Sequence, residues 1–183
     1  MKEVTEKNFG LVIAFMLPGF LLLWALTFSY PNVAMWLKTP KEPEAASVGA
    51  FLHAALASLA IGLLLSAIRY IVVDKLLERF HRTLPKLDIK KLIQADKAVA
   101  FQALVENFYR YYQYYSNTFV AVFLGYAFYL TANYHSLSTK EIIVQTGFVI
   151  VVCVLLLAAS NDTFVKYRRG SHDLISEQGG TGC

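Results

Sequence analysis

The sequence predicts an all-α integral membrane protein with four transmembrane helices, both termini cytoplasmic, and the second and third helices extended into the cytoplasm. Three observations predict it. Charges are sparse and the apolar residues gather into long runs. Lys and Arg fall almost wholly on one side of those runs. A tyrosine-rich stretch marks one crossing between water and lipid.

Of the 183 residues, 56% are hydrophobic and only 16% charged, and the mean hydropathy is +0.46. A soluble domain carries about 25% charged residues. A helix needs about 20 apolar residues to cross hydrocarbon. Phe9 to Tyr30 gives 22 residues without a charge, which expects a retained first span rather than a cleaved signal. Pro18-Gly19 near its middle predicts a kink. The connection from Pro31 to Ser47 contains KTPKEPE, which cannot continue a helix.

Ala45 to Ile68 is the second uncharged run, 24 residues long and closed by Arg69. YIVVDKLLERFHRT follows, and the helix is expected to reach about Thr83 before Leu84-Pro85 breaks it. Asp88 is a reasonable N-cap for a helix from Ile89. Nothing between Ile89 and Tyr115 stops it, so one long helix, or two nearly collinear ones, should run into the third span. At about 1.5 Å per residue, Ala95 to Ala132 would extend roughly 57 Å, beyond a core of about 30 Å.

That helix carries ENFYRYYQYYSNTF, Glu106 to Phe119, in which six of the eight residues from Phe108 to Tyr115 are aromatic. Tyrosine settles where an apolar phase meets water. Phe108, Tyr111, Tyr112 and Tyr115 recur at helical spacing as one aromatic face, with Tyr109 and Tyr114 off it. After a short turn from Tyr134 to Lys140, Ile142 to Asn161 supplies the fourth run, 20 residues closed by Asp162. The spans are therefore about 9–30, 46–70, 114–134 and 142–162. A cytoplasmic helical loop covers about 71–113 and a tail covers 163–183, all in one membrane domain.

Orientation follows from the positive residues, which stay cytoplasmic. One side holds Lys2 and Lys7, nine from Arg69 to Arg110, and three in the tail, 14 in all; the other holds Lys38, Lys41 and Lys140. The expected location is a bacterial inner membrane.

Two stripes of small residues are expected to pack helices or line a pore. Ala50, Ala54, Ser58, Gly62 and Ser66 repeat every four residues in the second span. Asn117, Ala121 and Gly125 repeat the pattern in the third. The ionisable residues gather at the inner ends of the spans. Arg69, Glu106, Arg110 and Asp162, with Tyr111, Tyr112 and Tyr115, form a cytoplasmic collar in which Arg69 or Arg110 pairs with Asp162. The bland reading of that pair is structural; the sharper one is a gate. His53, Asn133, Gln145 and Thr146 lie near the outer leaflet, as vestibule or as interhelical hydrogen bonds.

The basic loop offers Lys86, Lys90, Lys91 and Lys97 to a cytosolic protein or an anionic ligand such as a nucleotide or oligonucleotide. Positive-inside bias and anionic lipid explain most of that charge. No spacing suggests a metal site, a disulfide framework, a P-loop or a nucleophile elbow, so neither cofactor nor enzyme is expected. The mid-membrane lacks the carboxylate that ion-coupled transporters hold.

The first functional expectation is a homo-oligomeric channel or pore-forming effector controlled from its cytoplasmic helices. The alternative is a non-catalytic anchor or scaffold recruiting a partner through the basic loop. In architecture the layout resembles small multi-span bacterial membrane proteins that act as effectors of defence systems, which would imply membrane disruption as the output.

Overall fold

A computed structural model describes residue 10 and residues 12–37, 45–82 and 97–176. Among these residues the chain is helical throughout, with no strand. Three helices are long and apolar enough to cross a membrane: Val12–Ser29, Phe51–Phe80 and Thr139–Ser176.

The first opens with a π turn, Val12–Met16, and continues as α1, Leu17–Ser29. Pro18 falls just after the junction of the two, where its missing N–H interrupts the backbone ladder. Tyr30, extended ahead of Pro31, ends the helix. Pro31 then starts a short helix, α2, Pro31–Leu37, inside the stretch expected to be irregular. Proline's fixed φ suits the first position of a helix as well as it breaks an interior.

α3, Ala45–Arg69, passes through a π turn, Tyr70–Asp74, into α4, Lys75–Phe80. His81 leaves the helical region and ends it, a little before Thr83. α5, Ala98–Leu104, passes through a third π turn, Val105–Tyr109, into α6, Arg110–Asn133. The expected long helix is present over these residues. Its proposed start at Ile89 lies outside the described residues, as do Lys86, Lys90, Lys91 and the last residues of the tail.

A capping box opens the last helix, α7, Thr139–Ser176. The Ser138 hydroxyl and backbone N–H both donate to Glu141 Oε2 at 2.8 Å, and the Glu141 N–H donates back to Ser138 Oγ at 3.3 Å. α7 does not end at Asp162. It runs on to Ser176, because Phe164, Tyr167 and Ser171 have a surface to bury against.

α6 is the axis of the assembly. It packs against α1, α3 and α7, and α1 also packs against α3. Below this bundle, the end of α7 packs on α5 and its π turn. The arrangement explains why α6 is less apolar than its neighbours: they take the outer positions, and it buries Tyr112, Ser116, Asn117, Val120, Ala121 and Gly125 among them.

Candidate functional site

The polar side chains converge at the lower end of α6. Arg69 ends α3 and Asp74 ends the π turn after it. On an α-helix, residues five apart point to different faces, whereas a π turn stacks i on i+5. The wide turn therefore sets Arg69 over Asp74, with Nη1 at 3.0 Å and 3.3 Å from the two carboxylate oxygens. Arg69 is only 4% exposed, so its charge has to be neutralised at close range. Among the described residues its Nε has no hydrogen-bond partner.

Tyr112 of α6 completes the group. Its hydroxyl donates to Asp74 Oδ1, and its ring lies 5.2 Å from the Arg69 guanidinium carbon. A neutral phenol is a donor and a carboxylate only an acceptor, so the direction of this bond is fixed by the two groups. One aspartate thus accepts from α3 and α6 together.

Around this lock lies an aromatic stack. Phe164 of α7 sits 5.2 Å from the Tyr112 ring; Tyr109 lies 5.0 Å from Tyr167, and Phe101 6.2 Å from Tyr167. Arg168 covers the other side of Phe164 at 5.4 Å and approaches Glu78 at 3.8 Å. His81 and Asn161 share a 2.6 Å hydrogen bond, tying the end of α4 to α7.

One turn further up α6, Ser116 and Ser160 hydroxyls meet at 2.7 Å. The neighbouring Asn117 amide donates to the Ala14 carbonyl at 2.8 Å. α6 thus holds α1, the α3 extension and α7 by separate polar contacts within about two turns.

The collar residues from the sequence do not all meet. Arg69 turns to Asp74 instead of Asp162, for the reason of helical pitch just given. Asp162 is exposed and pairs with Lys166 one turn away, at 2.7 Å. Arg110 approaches Glu106 at 3.9 Å and lies against Gly10. Tyr111 and Tyr115 lie 6.5 Å apart, with Tyr111 exposed. Tyr112 joins Tyr109 on the inward face, because positions 105, 109, 112 and 116 form one row of the helix.

The small-residue stripes both face α1. Side-chain atoms added at Gly19 would overlap the Ser58 backbone, and at Gly62 the Phe15 backbone. A Cβ on Gly125 would come within 2.8 Å of Ala25. Ser58, Asn117 and Ala121 are fully buried, while Ala54 and Ser66 are half-buried. The side chain of Ala50 lies outside the described residues. Lys97 is half-buried just ahead of α5. Near the other end of the bundle, Thr146 bonds Tyr126 at 2.7 Å, Asn133 bonds the Tyr129 carbonyl, and His53 the Gly49 carbonyl.

Four participants escaped sequence reasoning: Asp74, Ser160, Phe164 and Tyr167. Asp74 stands in a segment with Arg69, Lys75, Arg79 and Arg82, where composition marks it only as a counter-charge. Ser160, Phe164, Tyr167 and Ser171 are spaced four, three and four apart, a helical row that was legible beyond Asp162. Among the described residues no group of three His, Cys, Asp or Glu could hold a metal ion. No nucleophile is paired with a base at the lock; its chemistry is charge neutralisation and helix fastening. Comparison with protein-family models, curated proteins and solved structures gives no match.

Proposed function

We propose that this protein is a four-span membrane anchor or scaffold, with both termini cytoplasmic, that holds a helical extension at the membrane for a cytosolic partner. The carrying observation is where the polar side chains point. Ser58, Ser116, Asn117 and Ser160 are fully buried within one chain. Over residues 51–68 of α3 and 142–161 of α7 the large exposed residues are apolar apart from His53: Phe51, Leu56, Leu63 and Leu64 on one, Val144, Phe148, Val151 and Leu155 on the other. Such faces suit lipid, whereas a water-filled conduit between protomers needs polar walls. Lys86, Lys90, Lys91 and Lys97 remain the proposed partner surface.

The fourth span in this reading is α6. Its 24 residues extend about 36 Å, enough to cross alongside the helices it touches.

A second reading, the homo-oligomeric channel or pore-forming effector, has its own support. α5 and α6 are joined through a π turn into one rod from the extension to the bundle centre. π turns are frequent at functional sites, and a rod of this kind would carry a cytoplasmic signal inward.

Reconstitution in a planar bilayer separates the two. The anchor reading expects no current, and a cytosolic protein retained on the wild type but lost on charge reversal of Lys90, Lys91 and Lys97. Stepwise current from an assembly of fixed stoichiometry would overturn it in favour of the channel.

A further inference from the structure

The extension after Arg69 does not descend into water as its sequence suggests. Asp74 bonds Tyr112 near the foot of α6. A straight helix would carry His81, seven residues on, about 10 Å further from the bundle. Instead His81 bonds Asn161. Asn161 adjoins Ser160, which bonds Ser116, one turn inward of Tyr112 along α6. The chain has therefore turned at the π turn, and α4 lies across the foot of the bundle.

Its two faces differ accordingly. Val73 and Leu77 are buried, in the same core cluster as Tyr112 and Phe164. The outer face keeps large apolar residues in the open: Ile71 is 58% exposed, Leu76 46% and Phe80 74%. Lys75, Arg79 and Arg82 are exposed among them. This face continues the exposed apolar surface of α3, which carries Leu64 and Ile68. The helical stretch from Phe51 to Phe80 is 30 residues, about 45 Å if straight. That exceeds a hydrocarbon core of about 30 Å, and the turn accommodates the surplus.

Apolar side chains interleaved with Lys and Arg on a helix lying flat are the pattern of an interfacial helix. We propose that Tyr70–Arg82 is an interfacial collar that binds anionic phospholipid: Leu76 and Phe80 enter the acyl boundary, and Lys75, Arg79 and Arg82 meet headgroup phosphates. The basic residues supply the charge complement, and continuity with the α3 surface supplies the membrane. The Arg69–Asp74–Tyr112 lock then sits behind this collar, shielded from water by it.

The inference rests on the chain being embedded in a bilayer. Flotation of the full chain with vesicles is therefore read first, so that failure of embedding is recognised separately. Phe80→Trp, in a background of Trp24→Phe and Trp36→Phe, is reconstituted in phosphatidylcholine mixed with phosphatidylglycerol. Lipids brominated near the carbonyl end of the chain should quench the new indole strongly, and aqueous iodide weakly. Strong iodide quenching with weak bromine quenching would overturn the proposal by placing α4 in water. Weak quenching by both would overturn it by placing a second copy of the chain over the face. In a second arm, Lys75→Gln, Arg79→Gln and Arg82→Gln together should lower association of spin-labelled phosphatidylglycerol by about five-fold or more, with phosphatidylcholine association and helicity unchanged. Unchanged phosphatidylglycerol association would overturn the headgroup contact.

Discussion

Pro18 has no N–H, and in an α-helix the carbonyl it fails to serve is that of residue 14. Ala14 is fully buried, so its carbonyl needs a donor from elsewhere. Asn117 supplies it from α6. A proline defect in one helix and an asparagine in another are thus a single feature. Asn117→Ala should cost about 1 kcal/mol, the scale of interhelical hydrogen bonds in membranes. Pro18→Ala restores an own-helix donor, so Asn117→Ala should cost less in that background. Denaturation of the four variants in micelles reads the coupling. Equal costs in the two backgrounds would mean the amide has another role. The sequence exposed both residues, but only as a kink and as a member of a small-residue stripe. Ala14 and Asn117 are 103 positions apart, and nothing local hints that they share a bond. Arg69 and Asp74 are close in sequence yet were equally hidden, because their pairing needs a π turn, and α-helical spacing argues against it.

α1 is gripped from two sides, by α3 at Gly19, Ser58 and Gly62 and by α6 at Gly125. Backbone meets backbone at the α1–α3 crossing, so no rotamer change can make room. Gly62→Ala should therefore destabilise strongly, by roughly 2 kcal/mol or more, as overpacking of a tight site does. Gly147 on α7 has open space where its Cβ would be. Gly147→Ala should be neutral or stabilising by up to about 1 kcal/mol, from helix propensity alone. Thermal denaturation of the two in the same detergent checks the contrast, and similar behaviour would mean the crossing is looser than described. At this scale the sequence was most legible. Uncharged runs marked α1, α3 and α7, the tyrosines marked the lower end of α6, and the four-residue stripe marked a close crossing. The continuation of α7 to Ser176 was missed because Lys166, Arg168 and Arg169 dominate its composition. Phe164 packs on Tyr112 of α6 and Tyr167 on Phe101 of α5, partners distant in sequence.

For the whole molecule, the number of crossings decides where everything else lies. Hydropathy alone marks three helices, and an odd number would put the termini on opposite sides. Packing argues for an even number. α6 packs on α1, α3 and α7, and if those helices cross, a helix of about 36 Å packed on all three crosses with them. Tyr112, Ser116, Asn117 and Tyr126 lower its hydropathy, yet they bond to neighbouring helices and spare the lipid a polar surface. On the proposed four-span reading, the Lys and Arg bias would put the Arg69 end, with both termini, on the cytoplasmic side. Single cysteines test this in a Cys153→Ala, Cys183→Ser background, with a membrane-impermeant maleimide applied to right-side-out vesicles. Ser136→Cys, in the exposed turn between α6 and α7, should label from outside. Ser176→Cys at the end of α7 should label only after the membrane is permeabilised. Labelling of both positions without permeabilisation, or of neither, would exclude α7 as a crossing. If Ser176→Cys labels from outside and Ser136→Cys only after permeabilisation, the bundle is inverted and the proposed cytosolic partner surface falls with it.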